Sequence, residues 1–189
     1  MEKRLKNINI AITGPESTGK TIISSQLSKY FHGFQIPEYA REYILNLNRE
    51  YKYEDIEHIA TIQIESFIQA NTEYPKLLFF DTWLIITKVW FQEVFGRSPK
   101  WLRQAIQDYK MDLYLICAPD IEWVKDEVRE NGGERRIELY NIYLEELKKQ
   151  NITFKIVRGK DELRFKNAIE AVESFFKLEG ININQFRGS

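Results

Sequence analysis

The sequence predicts an α/β fold in which helices cover a doubly wound parallel sheet of about five strands. Two observations support this class. Short apolar runs alternate with longer segments whose apolar residues recur at helical spacing, and this order is typical of parallel strands joined by helical crossovers. A glycine-rich turn also follows the first apolar run directly and leads into a helical segment. Because such crossovers are right-handed, few other topologies remain.

The predicted strands are short, continuous apolar runs of the kind that a doubly covered sheet needs. They lie at residues 8–12, 34–36, 77–80, 112–117 and 152–157. The apolar stripes of the predicted helices lie in residues 21–30, 56–68, 83–95, 99–109, 121–129, 137–147 and 165–176. Asp55 is a candidate cap for the second of these helices, and Pro75 and Gly96 are candidate stops.

Length and composition favour one domain. The chain has 189 residues, of which we assign 1–179 to the domain and the polar stretch 180–189 to a frayed tail. A net charge of −1 offers no electrostatic footprint for DNA or RNA. The single cysteine, Cys117, excludes a disulfide framework and is expected to be buried. Neither a membrane span nor an apolar signal segment is visible, so a cytoplasmic protein is expected.

The turn after the first strand, GPESTGKT, has the spacing of a phosphate-binding loop. Glycines at its fixed positions let successive amide groups point at a phosphate. Lys20 would lie between the β and γ phosphates, and the Thr21 hydroxyl would ligate the magnesium ion that bridges them. The turn therefore predicts a nucleotide site with Mg²⁺. The residues expected to contact the nucleotide are Gly14, Pro15, Glu16, Ser17, Thr18, Gly19, Lys20 and Thr21.

Two carboxylates follow predicted strands. Glu38 comes just after the second strand, and Asp81 ends the third. Ligands of open parallel sheets bind beyond the carboxyl ends of the strands, so both side chains are expected beside the loop. Asp81 is placed to hold magnesium, directly or through water, and Glu38 is placed to take a proton from an acceptor hydroxyl. The two roles could be exchanged.

Three arginines flank a glycine joint. Arg129, Arg135 and Arg136 lie on either side of Asn131-Gly132-Gly133, which predicts a short mobile lid whose cations stabilise a transferring phosphoryl group. A solvated charged turn is the alternative. No Asn-Lys-x-Asp segment, which would specify guanine, is present. This absence favours ATP over GTP as the donor.

Four segments in order resemble the ribosylnicotinamide kinase domain of the NadR family. They are GPESTGKT, PEYAREY at 37–43, FFDTW at 79–83 and DIEWVKDEVR at 120–129. The resemblance spans nearly the whole chain and implies ATP-dependent phosphorylation of the 5′-hydroxyl of nicotinamide riboside, giving nicotinamide mononucleotide. The site positions that it implies are Glu38, Tyr39, Arg41, Asp81, Asp126 and Arg129.

The chain also departs from that family. Trp83 stands where the family often has a second aspartate, and Glu127 stands where it has a glycine. Longer members carry an adenylyltransferase domain with a His-x-Gly-His motif, whereas His32 and His58 are far apart here. We therefore expect neither an adenylyltransferase nor a DNA-binding repressor.

Two aromatic residues lie beside the predicted strand ends. Trp83 and Tyr39 are candidates for stacking on a flat heterocycle of a nucleoside-like substrate, with burial in the core as the alternative.

One competing function is a kinase of the same architecture that acts on another nucleoside or a nucleoside monophosphate. Another is a non-catalytic or slow nucleotide-dependent switch, which would have no need for Glu38.

Overall fold

The computed structural model describes residues 7–73, 77–125 and 131–186. In chain order the elements are β1 Ile8–Thr13, α1 Lys20–Tyr30, β2 Phe34–Ile36, α2 Tyr39–Asn46, α3 Tyr53–Glu73, β3 Leu77–Asp81, α4 Leu84–Phe95, α5 Lys100–Asp108, β4 Leu113–Cys117, α6 Gly133–Lys149, β5 Phe154–Val157, α7 Asp161–Leu178 and a 3₁₀ helix Ile183–Phe186. The strands form one sheet in the order β2-β3-β1-β4-β5, and all four pairings are parallel. This confirms the predicted five-stranded parallel sheet.

Helices cover both faces of the sheet. In β1, Ile10 and Ile12 point to the face packed by α1 and α7, whereas Ala11 points to the face packed by α3, α4, α5 and α6. The same alternation in β3 and β4 makes nearly every strand side chain apolar, which explains why these strands read as continuous apolar runs. Cys117 is buried and free, as predicted.

Strand register brings the ends of neighbouring strands together. Ile12 in β1 is level with Asp81 in β3, and the amide of Thr82 donates a hydrogen bond of 3.1 Å to the carbonyl oxygen of Ile12. On the other side of β3, Ile36 in β2 is level with Phe80. The segments that follow β1, β2 and β3 therefore begin at one edge of the sheet, which is where open parallel sheets bind ligands.

Helix α3 begins two residues earlier than its predicted cap. Asp55 lies in its first turn, where its carboxylate accepts a 2.7 Å hydrogen bond from the amide of Lys52, an arrangement that resembles half of a capping box. Arg49 and Tyr43 donate to the same carboxylate. The Arg49 bonds hold the pKa of Asp55 well below its ordinary value. The predicted stop at Pro75 lies outside the described residues.

The helix predicted over 121–129 is absent from 121–125, and residues 126–130 lie outside the described residues. Long-range hydrogen bonds occupy the backbone groups that a helix would use. The carbonyl oxygen of Ile121 accepts from Arg136 at 2.8 Å, and the amide of Val124 donates to the Ser17 hydroxyl at 3.0 Å. Contacts with distant residues have thus overridden the local apolar pattern.

The frayed tail predicted from Gly180 onward is wrong for residues 180–186, and residues 187–189 lie outside the described residues. Gly180 has a φ of 65°, and Ile181 donates a 2.8 Å hydrogen bond back to Phe176, which closes α7 with a Schellman-type turn. Phe186 then packs on Phe176, with ring centroids 5.3 Å apart. Apolar burial therefore orders this segment.

Within the described part of the chain, no helix combines the length and the apolar character needed to cross a membrane.

Candidate functional site

The turn between β1 and α1 is as tight as the sequence predicts. Gly14 has a φ of 133°, and a Cβ there would lie 2.6 Å from the carbonyl oxygen of Cys117. Gly19 has a φ of 73°, and Ser17 has a φ of 54°. Positive φ is costly for residues other than glycine. The close approach of β4 leaves no room for a side chain at Gly14, so this position requires glycine. Glycine at position 19 avoids the backbone strain that Ser17 carries.

Lys20 begins α1 directly after this turn. Its ammonium group donates a 2.9 Å hydrogen bond to the carbonyl oxygen of Pro15. The hydroxyl of Thr18 donates to the same oxygen at 2.8 Å. The ammonium group of Lys20 therefore lies against its own loop. Its charge also lowers the pKa values of Glu38 and Asp81.

Asp81, at the end of β3, is 3% exposed. Thr21 donates a side-chain hydrogen bond to its carboxylate, and within the described residues its Oδ1 has no hydrogen-bond partner. Burial raises the pKa of Asp81, and the Thr21 bond and the charge of Lys20 oppose that rise. A buried carboxylate oxygen without a partner is costly, so it is a natural place for a cation or a water ligand.

Glu38 follows β2 and precedes α2, and it is half-buried. Burial raises the pKa of Glu38, and the charge of Lys20 opposes that rise. Asp81 and Glu16 raise it further, and Arg41 lowers it. Four charged residues, from the loop, β3 and α2, therefore influence the pKa of one carboxyl group. The predicted convergence of the loop, Glu38 and Asp81 is present in the structure.

The residues beside the turn fit a magnesium ion carried by a nucleotide. Thr21 and Asp81 offer oxygen ligands next to each other, and one buried oxygen of Asp81 has no partner among the described residues. In the described residues no group of three or more His, Cys, Asp or Glu side chains could hold a metal by itself. Mg²⁺ at nucleotide sites commonly takes one or two protein oxygens and completes its shell with phosphates and water. The donor set therefore suits magnesium only together with a phosphate ligand.

Beside Asp81, a narrow cavity opens at the ends of β2 and β3. It is lined by Ile36, Pro37, Tyr39, Gln63, Ser66, Phe80, Asp81, Thr82 and Trp83. Tyr39 is half-buried, and its hydroxyl lies 3.0 Å from Nε2 of His58. Both predicted aromatic residues therefore border one cavity beside Asp81.

Trp83 is buried more deeply than its predicted stacking role requires. It is 1% exposed, and its ring packs against Phe67 and Phe80 at centroid distances of 5.3 and 5.4 Å. The ring face is therefore part of the core, not an exposed stacking surface. Its Nε1 is buried without a hydrogen-bond partner among the described residues. The assignment of Trp83 as a substrate-binding residue stays a prediction.

Sequence reasoning missed Thr82. This residue has a φ of 72°, which is a genuine outlier for a β-branched side chain. Such strain is concentrated at functional sites. Thr82 lines the cavity immediately after Asp81, so the strained turn determines where the chain leaves β3. No local sequence signal marks this conformation.

The predicted lid arginines have different surroundings. Arg135 forms ion pairs with Glu93 and Glu138, so these carboxylates occupy the guanidinium that was expected to contact phosphate. Arg136 is 5% exposed and binds backbone carbonyl oxygens of the loop. The joint before α6 is tethered, since Asn131 donates two hydrogen bonds to the carboxylate of Glu16.

Of the remaining predicted residues, only Arg41 lies in the described part of the chain. Arg41 is half-buried in α2 and lowers the pKa of Glu38. Asp126 and Arg129 lie outside the described residues, as does Glu127. Sequence reasoning also missed Arg164 in α7, which is 3% exposed and donates to the carbonyl oxygen of Thr18 in the loop. Its place in an amphipathic helix gave no sign of this contact.

A central strand that ends in this kind of glycine turn, in a sheet of this order, defines the class of the protein. The turn presents amide groups and a helix N-terminus to an anion, and its Gly-x₄-Gly-Lys-Thr spacing is that of P-loop proteins, which bind nucleotide phosphates there.

Comparison with known proteins places the chain within that class. The family model described as AAA domain matches residues 9–164. The protein belongs to this P-loop family.

Curated relatives are similar over most of the chain. It is 28% identical over 178 residues to the trifunctional NAD biosynthesis/regulator protein NadR of Salmonella typhimurium, covering 90% of this chain and 43% of that protein. The NadR protein of Escherichia coli is 29% identical over 170 residues, covering 86% and 41%. The chain thus spans about two fifths of the length of these relatives.

Solved structures show the same fold. A crystal structure of NadR protein in complex with NR is 27% identical, with a TM-score of 0.78 over 91% of this chain and 52% of that chain. NadR protein in complex with NAD and AMP-PNP has a TM-score of 0.74 at 25% identity, covering 92% and 51%. Deoxyadenosine kinase from M. mycoides has a TM-score of 0.60 at 18% identity, covering 91% and 99%. The architecture is that of NadR and nucleoside kinases.

We predict that Gly14→Ala weakens binding of magnesium-ADP by at least about tenfold and lowers the melting temperature, because the new Cβ collides with the Cys117 carbonyl. Gly180→Ala is the matched control. Its φ is also positive, at 65°, but a Cβ there meets nothing within 4 Å, so this variant carries only left-handed backbone strain of about 1–2 kcal/mol. Calorimetric titration and thermal unfolding measure both effects. Equal losses in the two variants would contradict the proposed constraint.

Proposed function

We propose that the protein is an ATP-dependent kinase that phosphorylates the 5′-hydroxyl of nicotinamide riboside, giving nicotinamide mononucleotide and ADP. The observation that carries the proposal is the convergence of Lys20, Asp81 and Glu38 at one edge of the sheet. Phosphoryl transfer to a hydroxyl requires a site that binds the phosphates of the donor. It also requires a base for the acceptor hydroxyl, such as a carboxylate with a raised pKa. The similarity to NadR over 90% of the chain supports the choice of acceptor.

In this proposal the loop and Lys20 bind the phosphates of ATP. Amide groups and the ammonium hold the β and γ phosphates and stabilise the charge that shifts between them during transfer. Thr21 and Asp81 would hold the magnesium ion that neutralises those phosphates. The γ-phosphoryl group passes to the 5′-oxygen, the bond to the β-phosphate oxygen breaks, and ADP leaves.

Glu38 would take the proton of the 5′-hydroxyl. Its pKa is raised above the ordinary 4.5, mainly by burial, which makes its carboxylate a stronger base than an exposed glutamate. Lys20 opposes the rise and so favours the ionised form that accepts a proton. The nucleotide-dependent switch discussed above would have no use for such a group.

We predict that Glu38→Gln lowers kcat about 10²-fold or more and leaves magnesium-ADP affinity within about twofold, because the base acts on the acceptor. The wild-type rate should fall as pH drops through the raised pKa of Glu38, since only the carboxylate accepts a proton. This acidic limb should disappear in Glu38→Gln. Steady-state rates between pH 4.5 and 8 measure it.

The matched variant is Asp81→Asn, which should weaken ADP binding only when magnesium is present. Equal effects of the two substitutions on magnesium-ADP affinity would contradict this division of roles.

We predict that nicotinamide riboside has the highest specificity constant in an acceptor panel. Magnesium-ATP is combined separately with nicotinamide riboside, the common ribonucleosides and deoxynucleosides, and their monophosphates, and ADP release is followed. A pocket that hydrogen-bonds the ribose should reject acceptors lacking its hydroxyls by about 10⁴-fold. Glu38→Gln serves as the control for acceptor-independent ATP hydrolysis.

Two results would contradict the assigned acceptor. Preference for another nucleoside or for a monophosphate would identify a kinase with a different substrate, and Trp83 in the wall of the cavity gives a physical reason to test this. Tight ATP binding without acceptor-stimulated ADP release would identify a nucleotide-dependent switch.

A further inference from the structure

Two buried arginines donate hydrogen bonds to backbone carbonyl oxygens of the phosphate loop. Arg136 in α6 donates hydrogen bonds to the carbonyl oxygens of Glu16 at 3.0 Å and Ser17 at 2.6 Å. Arg164 in α7 donates to the carbonyl oxygen of Thr18 at 2.8 Å. Three consecutive carbonyl groups of the loop are therefore held by side chains that lie at least 119 residues away in sequence.

We propose that Arg136 and Arg164 are positioning residues that hold the loop amides toward the nucleotide phosphates. A peptide unit is planar and trans, so its N–H points opposite to its C=O. Fixing the carbonyls of residues 16, 17 and 18 toward the arginines therefore turns the amides of Ser17, Thr18 and Gly19 the other way. Within the described residues these three amides donate to no protein acceptor.

The loop needs such restraint because its backbone is strained. Ser17 has a φ of 54°, which costs a residue with a Cβ about 1–2 kcal/mol. Without external hydrogen bonds, that peptide would relax and its amide would turn away from the phosphate. Hydrogen bonds from a charged donor are roughly twice as strong as neutral ones, so the guanidinium groups can stabilise the strained form.

Both arginines have other partners that fix them in place. Arg136 also donates to the carbonyl oxygen of Ile121 at 2.8 Å. Arg164 pairs with Asp120 at 2.6 Å and donates to the carbonyl oxygens of Ala118 and Gly159. A planar guanidinium donates to several oxygens at fixed angles, whereas the ammonium group of lysine lacks this planar set of donors. Both positions therefore require arginine and not merely a positive charge.

This role differs from that of a lid arginine. Both guanidinium groups are almost completely buried, with 5% and 3% of the residue exposed, and they bind backbone oxygens of the loop. They would act on the nucleotide through the loop amides and would not contact the transferring phosphoryl group. The proposal concerns nucleotide binding and holds whichever acceptor the enzyme uses.

The test compares Arg136→Lys and Arg164→Lys with Lys166→Ala, an exposed residue of α7 whose ammonium lies 3.9 Å from Glu170. Lysine retains the charge and most of the volume of the aliphatic stem but lacks the planar set of donors of the guanidinium. Dissociation constants of magnesium-ADP and of adenosine are measured by competition with a fluorescent ADP analogue. Thermal unfolding is recorded in parallel.

The proposal predicts that each lysine variant binds magnesium-ADP at least about tenfold more weakly, while adenosine binding changes less than twofold. Lys166→Ala should match the wild type for both ligands. A purely structural role would weaken both ligands together, and that result would overturn the proposal. Unchanged magnesium-ADP affinity in both lysine variants would overturn it as well. The ratio of the two constants is informative even where the melting temperature falls, because both ligands are measured on the same folded fraction.

Discussion

The parallel pairing of β1 with β3 is the constraint on which the rest of the site depends. It places Ile12 level with Asp81, so a loop that leaves β1 and an acid that ends β3 meet without any specific contact having to bring them together. Pairing of β2 with β3 adds Glu38 from the next segment. The apolar strand interiors, buried under helices on both faces, stabilise this register. A polar site is thereby assembled at the edge of a largely apolar framework.

Burial raises the pKa values of the carboxylates at this edge of the sheet, and keeping charged groups buried there costs free energy of folding. The pKa values of Glu38 and Asp81 are both raised by burial and both opposed by Lys20, so the lysine stabilises two carboxylates that would otherwise favour protonation. Thr82 adds backbone strain next to Asp81. The loop itself carries strain at Ser17, which the guanidinium groups of Arg136 and Arg164 offset through its carbonyls. Strain and buried charge concentrated at one edge are typical of functional sites.

Local patterns in the sequence were sufficient to predict the strands, the glycine turn and the acids that end β2 and β3, because each depends on residues a few positions apart. They could not predict contacts between distant segments. The helix expected at 121–129 is missing from 121–125, where Ser17 and Arg136 bind the backbone. Arg164 reaches a carbonyl 146 residues away. Trp83 was recognised as a candidate, but only the fold shows that its ring is buried against Phe67 and Phe80.

The most direct test of the central claim is the turnover of Lys20→Ala with magnesium-ATP and nicotinamide riboside, recorded with its melting temperature. Lys29→Ala, an exposed residue in the last turn of the same helix, is the control. The account predicts that Lys20→Ala loses at least about 10²-fold in turnover, because the ammonium stabilises charge in the transition state, while its melting temperature stays close to that of the control. Wild-type turnover in a folded Lys20→Ala protein would remove the phosphate loop from the mechanism and contradict the account.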